Sequence, residues 1–70
     1  MENKKNNRIP RTAKHLIVKW LIGTSANVAG QIAQLEKVDG GWHEEINGRG
    51  YFVFSSVVRN GNLCEILEVA

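Results

Sequence analysis

Two adjacent glutamates, Glu44 and Glu45, are the carboxylates whose type and spacing invite comparison with an acid–base pair. General acid–base catalysis requires two groups that reach the same substrate. Neighbouring side chains on a β-strand point to opposite faces of the sheet, so these two carboxylates cannot face each other. Ser55 and Ser56 lack the context of a nucleophile, and the run Gly48–Gly50 is too short for a phosphate-binding loop. The sequence therefore predicts a protein that is not an enzyme.

The side chains that could ligate a transition metal are His15, His43 and Cys64. Structural and catalytic zinc sites need three or four such ligands at short, characteristic spacings, and these three residues lie far apart in the chain. We therefore expect no metal and no cofactor. The single cysteine also excludes an internal disulfide, which is typical of a protein from a reducing compartment. We expect Cys64 to be a small buried hydrophobic residue on the last strand.

A predicted hairpin in the second half of the chain carries side chains suited to binding. Trp42 follows a glycine turn, and an indole ring offers a large rigid contact area at low entropic cost. Two placements remain open for Trp42, an exposed anchor or a core residue, whereas Trp20 lies in the most apolar run and is expected in the core. An aromatic anchor with a polar rim is typical of a protein-binding surface. The predicted protein-binding residues are Trp42, Glu44, Arg49 and Tyr51.

The charge of the chain is concentrated near its start. Residues 1–14 carry five basic residues and one glutamate, a net charge of +4, whereas the remainder carries −2. This segment is rich in Asn and Lys, contains the only proline, and shows no apolar periodicity, so the sequence predicts a flexible basic arm. Such an arm is either a solvated tail or a contact with nucleic-acid phosphates. The predicted nucleic-acid-binding residues are Lys4, Lys5, Arg8, Arg11 and Lys14.

A chain of 70 residues forms at most one small domain, here predicted to span residues 15–70. A single core of this size supplies about 3 to 5 kcal/mol of stability, which leaves little room for a large buried active site. The hydrophobic fraction of 43% and the charged fraction of 23% are ordinary for a folded protein. No apolar run reaches the length of a membrane span. We expect a soluble, cytoplasmic protein.

The first half of the domain has two segments whose secondary structure must be inferred from period and propensity. In His15–Ile22 the alternation of apolar residues favours a strand, although a helix capped by Gly23 is also consistent with the composition. Residues 25–37 have good helix propensity, with Ser25 as an N-cap, but Gly30 interrupts them and a hairpin signal follows. Local propensity favours a helix there and the downstream context favours a strand.

The second half reads as short strands separated by glycine-containing turns. The turns are Asp39–Gly41, Asn47–Gly50 and Arg59–Asn62, and two of them contain Asn-Gly, the strongest short-range hairpin signal. The alternating runs between them have the spacing of a small barrel, which hides the edges that would otherwise aggregate. We predict an all-β barrel of about five strands.

The stretch IAQLEKVDGGWHEEINGRGYFVFSSVV, residues Ile32–Val58, resembles the central part of an SH3 domain. In that family a second strand leads through a loop to a tryptophan, then through a distal turn to an aromatic strand and a single helical turn. By this resemblance Leu35 and Glu36 end the second strand and Asp39–Gly41 form the loop. Asn47–Gly50 match the distal turn, and Ser55–Val58 match the helical turn.

The resemblance lacks most of the groove that binds polyproline in that family. Upstream of Ile32 there is no Tyr-Asp-Tyr pattern, Val53 or Phe54 stands at the position of the groove proline, and Val57 at that of the groove tyrosine. The resemblance therefore implies an SH3-like barrel rather than recognition of polyproline.

Two classes of function are consistent with these residues. The first is a regulatory or adaptor module that binds a protein partner, and the second is a nucleic-acid-binding regulator that contacts DNA or RNA through the basic arm. The second class includes another fold, because helices at His15–Ile22 and Ser25–Lys37 would convert the hairpin into the wing of a winged-helix protein of the phage or mobile-element type. The sequence leaves the oligomeric state open.

Overall fold

The computed structural model describes residues 6–24, 27–46 and 48–70, and within them five antiparallel strands form one sheet. The elements are β1 (His15–Trp20), β2 (Ile32–Val38), β3 (Gly41–Ile46), β4 (Arg49–Phe54), α1 (Ser55–Arg59) and β5 (Cys64–Val69). Across the sheet the strands lie in the order β4-β3-β2-β1-β5, so β4 and β5 are its outermost strands. The prediction of a small all-β domain with about five strands is confirmed.

The two ambiguous segments are both strands. In β1 the side chains of Leu16, Val18 and Trp20 are buried while alternate residues face outward, which is the pattern of a half-buried strand. In β2 the buried residues are Ala33 and Leu35. β2 pairs with β1 on one side and β3 on the other, and these two ladders of hydrogen bonds outweigh its local helix propensity. The winged-helix alternative is therefore wrong.

Tight turns connect β2, β3 and β4. Asp39 and Gly40 join β2 to β3, and Gly40 has a φ of +81°, a conformation that glycine adopts without steric cost. Gly48, in the turn before β4, has a φ of +83°. Asn47, the first residue of the predicted distal turn, lies outside the described residues.

A short helix and an Asn-anchored turn carry the chain from β4 to β5. The predicted helical turn at Ser55–Val58 is confirmed as α1, which buries Val58 completely. After the helix, the side chain of Asn60 accepts a hydrogen bond from the backbone N–H of Asn62 at 2.9 Å. Asparagine favours this kind of local turn because its side chain replaces a backbone partner.

The pairing of β5 with β1 contains an irregularity. Trp20 pairs with Cys64 and Leu16 with Val69, but the register shifts between Ile17 and Val18. A shift of this kind interrupts the strict inward and outward alternation of a strand. Leu67 is the β5 residue left without a partner at this shift, and its apolar side chain is exposed.

Part of the predicted basic arm packs on the domain. The side-chain amide of Asn7 donates hydrogen bonds to the backbone oxygens of Val58 and Cys64, both at 2.9 Å. Ile9 packs against the core and Ala13 is buried in it. Residues 1–5 lie outside the described residues, so their flexibility stays a prediction. Residues 6–14 are held against the domain through Asn7, Ile9 and Ala13.

The core lies on the inner face of the sheet and draws on every strand. Trp20 is buried there, as predicted. Its members are Ala13, Leu16, Val18, Trp20, Ala33, Leu35, Trp42, Val53, Val58 and Cys64. From outside the sheet, Val58 of α1 and Ala13 of the N-terminal segment add buried side chains to this core. Within the described residues no helix has the length and hydrophobicity needed to cross a membrane.

Candidate functional site

Two of the predicted binding residues, Trp42 and Glu44, lie on the inner face of β3. Both are only 3% exposed, and their cross-strand partners on β4 are Val53 and Tyr51 respectively. Because Trp42 and Glu44 are two residues apart on a strand, they share one face of the sheet. Of the two placements left open for Trp42, the core position is the one observed.

An apolar cleft of about 220 Å³ opens between the β1–β2 loop, β4 and α1. We call it the loop–strand cleft, and its main lining residues are Trp20, Ile22, Glu44, Tyr51, Phe54 and Val57. The loop supplies one wall, the outermost strand β4 supplies the other, and α1 closes one end. Concave, mainly apolar surfaces with a few polar groups are typical of ligand-binding sites.

The polar part of this cleft is built around the carboxylate of Glu44. The side-chain amide of Asn27 donates to both carboxylate oxygens, at 3.2 and 3.0 Å, and both residues are buried. Burial of a carboxylate is costly unless hydrogen bonds or an opposite charge compensate it. The partner seen here, an amide, is neutral, so it satisfies hydrogen bonding without neutralising the charge.

A turn in the β1–β2 loop places Asn27 against Glu44. The backbone N–H of Thr24 donates to the carbonyl of Asn27 at 2.8 Å, and the backbone N–H of Asn27 donates to the hydroxyl oxygen of Thr24 at 2.8 Å. These reciprocal bonds stabilise the turn that carries Asn27, close in sequence to Ile22 on the wall of the cleft.

Two buried polar atoms, one on a lining residue of the cleft and one on the partner of Glu44, lack a hydrogen-bond partner within the described part of the chain. They are the indole Nε1 of Trp20 and the side-chain oxygen Oδ1 of Asn27. An orphaned buried donor or acceptor costs about 1 to 3 kcal/mol relative to a paired one. Both atoms are buried from solvent, so neither is open to a ligand in the cleft in this conformation.

An exposed aromatic pair lies on the outer face of β4. The rings of Phe52 and Phe54 meet edge to face, with centroids 5.0 Å apart and planes at 87°. They are 50% and 63% exposed. The ring of Phe52 lies over Gly41, where a Cβ would come within 2.6 Å of Cζ of Phe52. The pair thus extends the apolar lining of the cleft onto the outer surface.

The four predicted protein-binding residues do not form one surface. Glu44 and Tyr51 line the loop–strand cleft, Trp42 lines another cleft beside the N-terminal segment, and Arg49 is exposed at the start of β4. Their assignment to a partner stays a prediction, but the geometry unites only Glu44 and Tyr51 in the loop–strand cleft.

The predicted nucleic-acid-binding residues are placed only in part. Lys4 and Lys5 lie outside the described residues, whereas Arg8, Arg11 and Lys14 are exposed on the packed N-terminal segment. Arg11 lines the same cleft as Trp42. Two further cations of that cleft, Lys37 and Arg59, were not among the residues predicted from the sequence.

The residues that could ligate a metal do not gather. Across 6–24, 27–46 and 48–70, no group of three or more His, Cys, Asp and Glu side chains is arranged to hold a metal ion. Cys64 is fully buried, its Sγ lies 3.4 Å from the carbonyl oxygen of Val58, and burial raises the pKa of its thiol. A buried thiol with a raised pKa is a poor nucleophile.

Sequence reasoning missed Asn27, Ile22 and Phe54 as parts of the site. Thr24 and Asn27 stand at the spacing of a side-chain-stabilised turn, which signals the loop geometry but not its contact with Glu44. The Phe-x-Phe spacing at Phe52 and Phe54 signals that both rings share a face of the sheet. Neither signal identifies the surface that the residues contact.

A comparison with models of known protein families finds none that matches this chain, and comparisons with curated proteins and with solved structures find no match either.

Proposed function

We propose that this chain is an SH3-like, non-enzymatic binding module that holds an extended segment of a partner protein in the loop–strand cleft. The observation that carries this proposal is the concave, mainly apolar lining of this cleft, to which the exposed side chains of Ile22 and Phe54 contribute. An extended peptide can fill such a cleft, since it projects side chains on alternate sides.

The arrangement of elements supports the SH3-like interpretation. The elements follow one another as two strands, the β3–β4 hairpin, a helical turn and a last strand paired back to β1, and the part from β2 to α1 has the order that the resemblance of Ile32–Val58 implies. By the resemblance, Val53 or Phe54 stands at the position of the groove proline and Val57 at that of the groove tyrosine. All three residues line the loop–strand cleft, which supports a comparison of this cleft with the groove of that family, here with aliphatic and phenyl walls.

The chemistry of the cleft favours a particular kind of peptide. Ile22, Phe54 and Val57 would contact apolar side chains, and the carboxylate of Glu44 would attract a lysine or arginine, because its neutral partner Asn27 leaves the charge uncompensated. The proposed ligand is an apolar segment with one basic residue rather than polyproline. In this role the domain acts as a regulatory or adaptor protein in a reducing compartment such as the cytoplasm.

Selection from a random peptide library tests the proposal directly. The intact chain is used as bait, and the selected peptides are measured by fluorescence anisotropy against two variants, Ile22→Ser and Ile32→Ser. Both replace an exposed isoleucine, but only Ile22 lines the cleft. We expect Ile22→Ser to weaken binding about tenfold, which corresponds to about 1.4 kcal/mol, and Ile32→Ser to leave it unchanged.

Two outcomes contradict the proposal. One is a set of selected peptides that carry acidic residues in place of the expected lysine or arginine. The other is equal binding by the wild-type chain and the Ile22→Ser variant, since a ligand in the loop–strand cleft must contact that wall. Circular dichroism of both variants shows that the comparison is between folded proteins.

A further inference from the structure

A second cleft, of about 320 Å³, lies between the N-terminal segment, the end of β2 and α1. We call it the basic cleft. Three cations line it, Arg11, Lys37 and Arg59, together with the hydroxyl-bearing Ser55, and no acidic residue is part of its lining. The three cations come from three separate parts of the chain, so the fold, not a local run of charge, brings them together.

Backbone hydrogen bonds hold these parts in place. The N–H of Asn7 donates to the carbonyl of Arg59 at 2.7 Å, which fixes the N-terminal segment to α1. The N–H of Lys37 donates to the carbonyl of Lys14 at 2.8 Å, which fixes the same segment to β2. Arg8 and Lys14 are exposed on this segment and flank in sequence its residues that line the cleft. The positive charge of this surface therefore depends on the tertiary fold of the domain.

The positive charge of the basic cleft is not neutralised within the described residues. None of Arg11, Lys37 and Arg59 forms an ion pair there, and the ammonium group of Lys37 lies 5.4 Å from the ring centroid of Trp42. The exposed carboxylates of the described residues lie outside the lining of the basic cleft, in the turn after β2 and on the strands of the sheet: Asp39, Glu36, Glu45, Glu65 and Glu68. Segregated like charges repel one another, and an anion in the cleft relieves that repulsion.

We propose that the basic cleft binds the phosphate backbone of a nucleic acid. Five basic side chains along one segment and its two neighbours suit a ligand with repeated negative charges better than a single small anion. Trp42, the aromatic residue of the cleft, is only 3% exposed, so it offers no free face on which a base can stack. Binding is therefore directed at phosphates and is insensitive to base sequence.

The salt dependence of DNA binding tests this assignment. The intact chain is titrated into a short fluorescein-labelled DNA duplex of mixed sequence at several salt concentrations. If three cations each neutralise one phosphate, affinity falls about 40-fold between about 50 and about 200 mM salt. The Arg59→Gln and Arg11→Gln variants each lose one contact, so the same change of salt lowers their affinity about 12-fold.

Matched controls separate this site from general attraction to a basic protein. Arg49→Gln and Lys19→Gln remove the same charge from exposed positions outside the cleft and should keep the salt dependence of the wild-type chain. Thermal unfolding checks that each variant is folded. Lys37→Gln is the less useful variant because it also removes the contact with Trp42.

Three results overturn the assignment. The first is the absence of binding to the duplex and to its separated strands at low salt. The second is an Arg49→Gln variant whose affinity and salt dependence change as much as those of Arg59→Gln. The third is a result that identifies another ligand. If millimolar inorganic phosphate abolishes DNA binding at constant ionic strength, the ligand is a small anion. If the chain binds only vesicles of anionic lipid, the ligand is a lipid headgroup.

Discussion

The side-chain amide of Asn27 donates to both carboxylate oxygens of Glu44 in the interior of the domain, at 3.2 and 3.0 Å. The pair joins the β1–β2 loop to the third strand, and therefore links the position of one wall of the loop–strand cleft to the sheet. Replacement of Asn27 by leucine keeps the approximate volume but leaves the buried carboxylate without this donor. We expect Asn27→Leu to lower the free energy of unfolding by about 2 kcal/mol in urea titrations.

Two companion variants decide whether this loss comes from the pair. The double variant Asn27→Leu with Glu44→Leu removes both polar groups and should recover most of the stability, since it leaves no unsatisfied charge. Glu45→Gln changes the neighbouring exposed carboxylate and should alter stability by less than about 0.5 kcal/mol. A double variant that is less stable than Asn27→Leu alone would refute the interpretation.

Gly41 is required because the backbone of β4 and the ring of Phe52 occupy the space of a side chain. A Cβ at this position would lie 2.5 Å from the carbonyl oxygen of Val53 and 2.6 Å from Cζ of Phe52. Gly41→Ala should therefore destabilise the protein by about 1 to 3 kcal/mol in chemical denaturation. Gly23→Ala is the control, because its Cβ would meet only the carbonyl oxygen of Asn27 at 3.9 Å. Equal effects of the two substitutions would contradict the packing argument.

The side chain of Asn7 adds two hydrogen bonds to the backbone contacts that hold the N-terminal segment. Its amide donates to the carbonyls of Val58 and Cys64, so Asn7→Ala leaves two carbonyl oxygens without these bonds. We expect a loss of about 1 to 3 kcal/mol and faster tryptic cleavage after Arg8 and Arg11, monitored by mass spectrometry. Asn62→Ala replaces an exposed asparagine and should change neither quantity. Unchanged cleavage in Asn7→Ala would show that other contacts hold the segment.

The thiol of Cys64 should be nearly inert in the folded protein. Burial raises the pKa of Cys64, so at neutral pH a smaller fraction is thiolate than in a free cysteine. Reaction with a disulfide reagent should be slow until denaturant is added, as measured by absorbance. A raised pKa in the folded state also means that this contribution to stability is complete below the ordinary thiol pKa and is lost as the pH rises through the raised value. Rapid labelling of the native protein at neutral pH would contradict this prediction.

The sequence predicts the second half of the domain well because each strand is bounded by a turn with its own chemistry. The glycine at position 40 and the one at position 48 take positive φ values where the hairpin signals stand. The first half is harder to predict because β2 contains good helix formers. Only its pairing with both neighbours, a property of the whole sheet, decides its conformation.

The candidate site was less predictable than the strands. The alternation of a strand places Trp42 and Glu44 on one face of β3, and the structure confirms this. Because that face carries both an indole and a carboxylate, the sequence does not indicate which face of β3 is buried. Asn27 meets Glu44, and Arg11 meets Lys37 and Arg59 around one cleft, only after the sheet has formed. Contacts of this kind depend on tertiary register, which local periodicity does not encode.

The pairing of β1 with β5 has a consequence for the biosynthesis of this domain. Leu16 pairs with Val69, so β1 acquires one of its two neighbours only after nearly the whole domain has been translated. The β2–β3–β4 meander, whose contacts are local, can form earlier on the ribosome. Until β5 is translated, β1 has no partner strand on its other edge. During that interval the nascent chain exposes a strand with an open edge, and His15–Trp20 is then accessible to a chaperone that recognises short apolar segments.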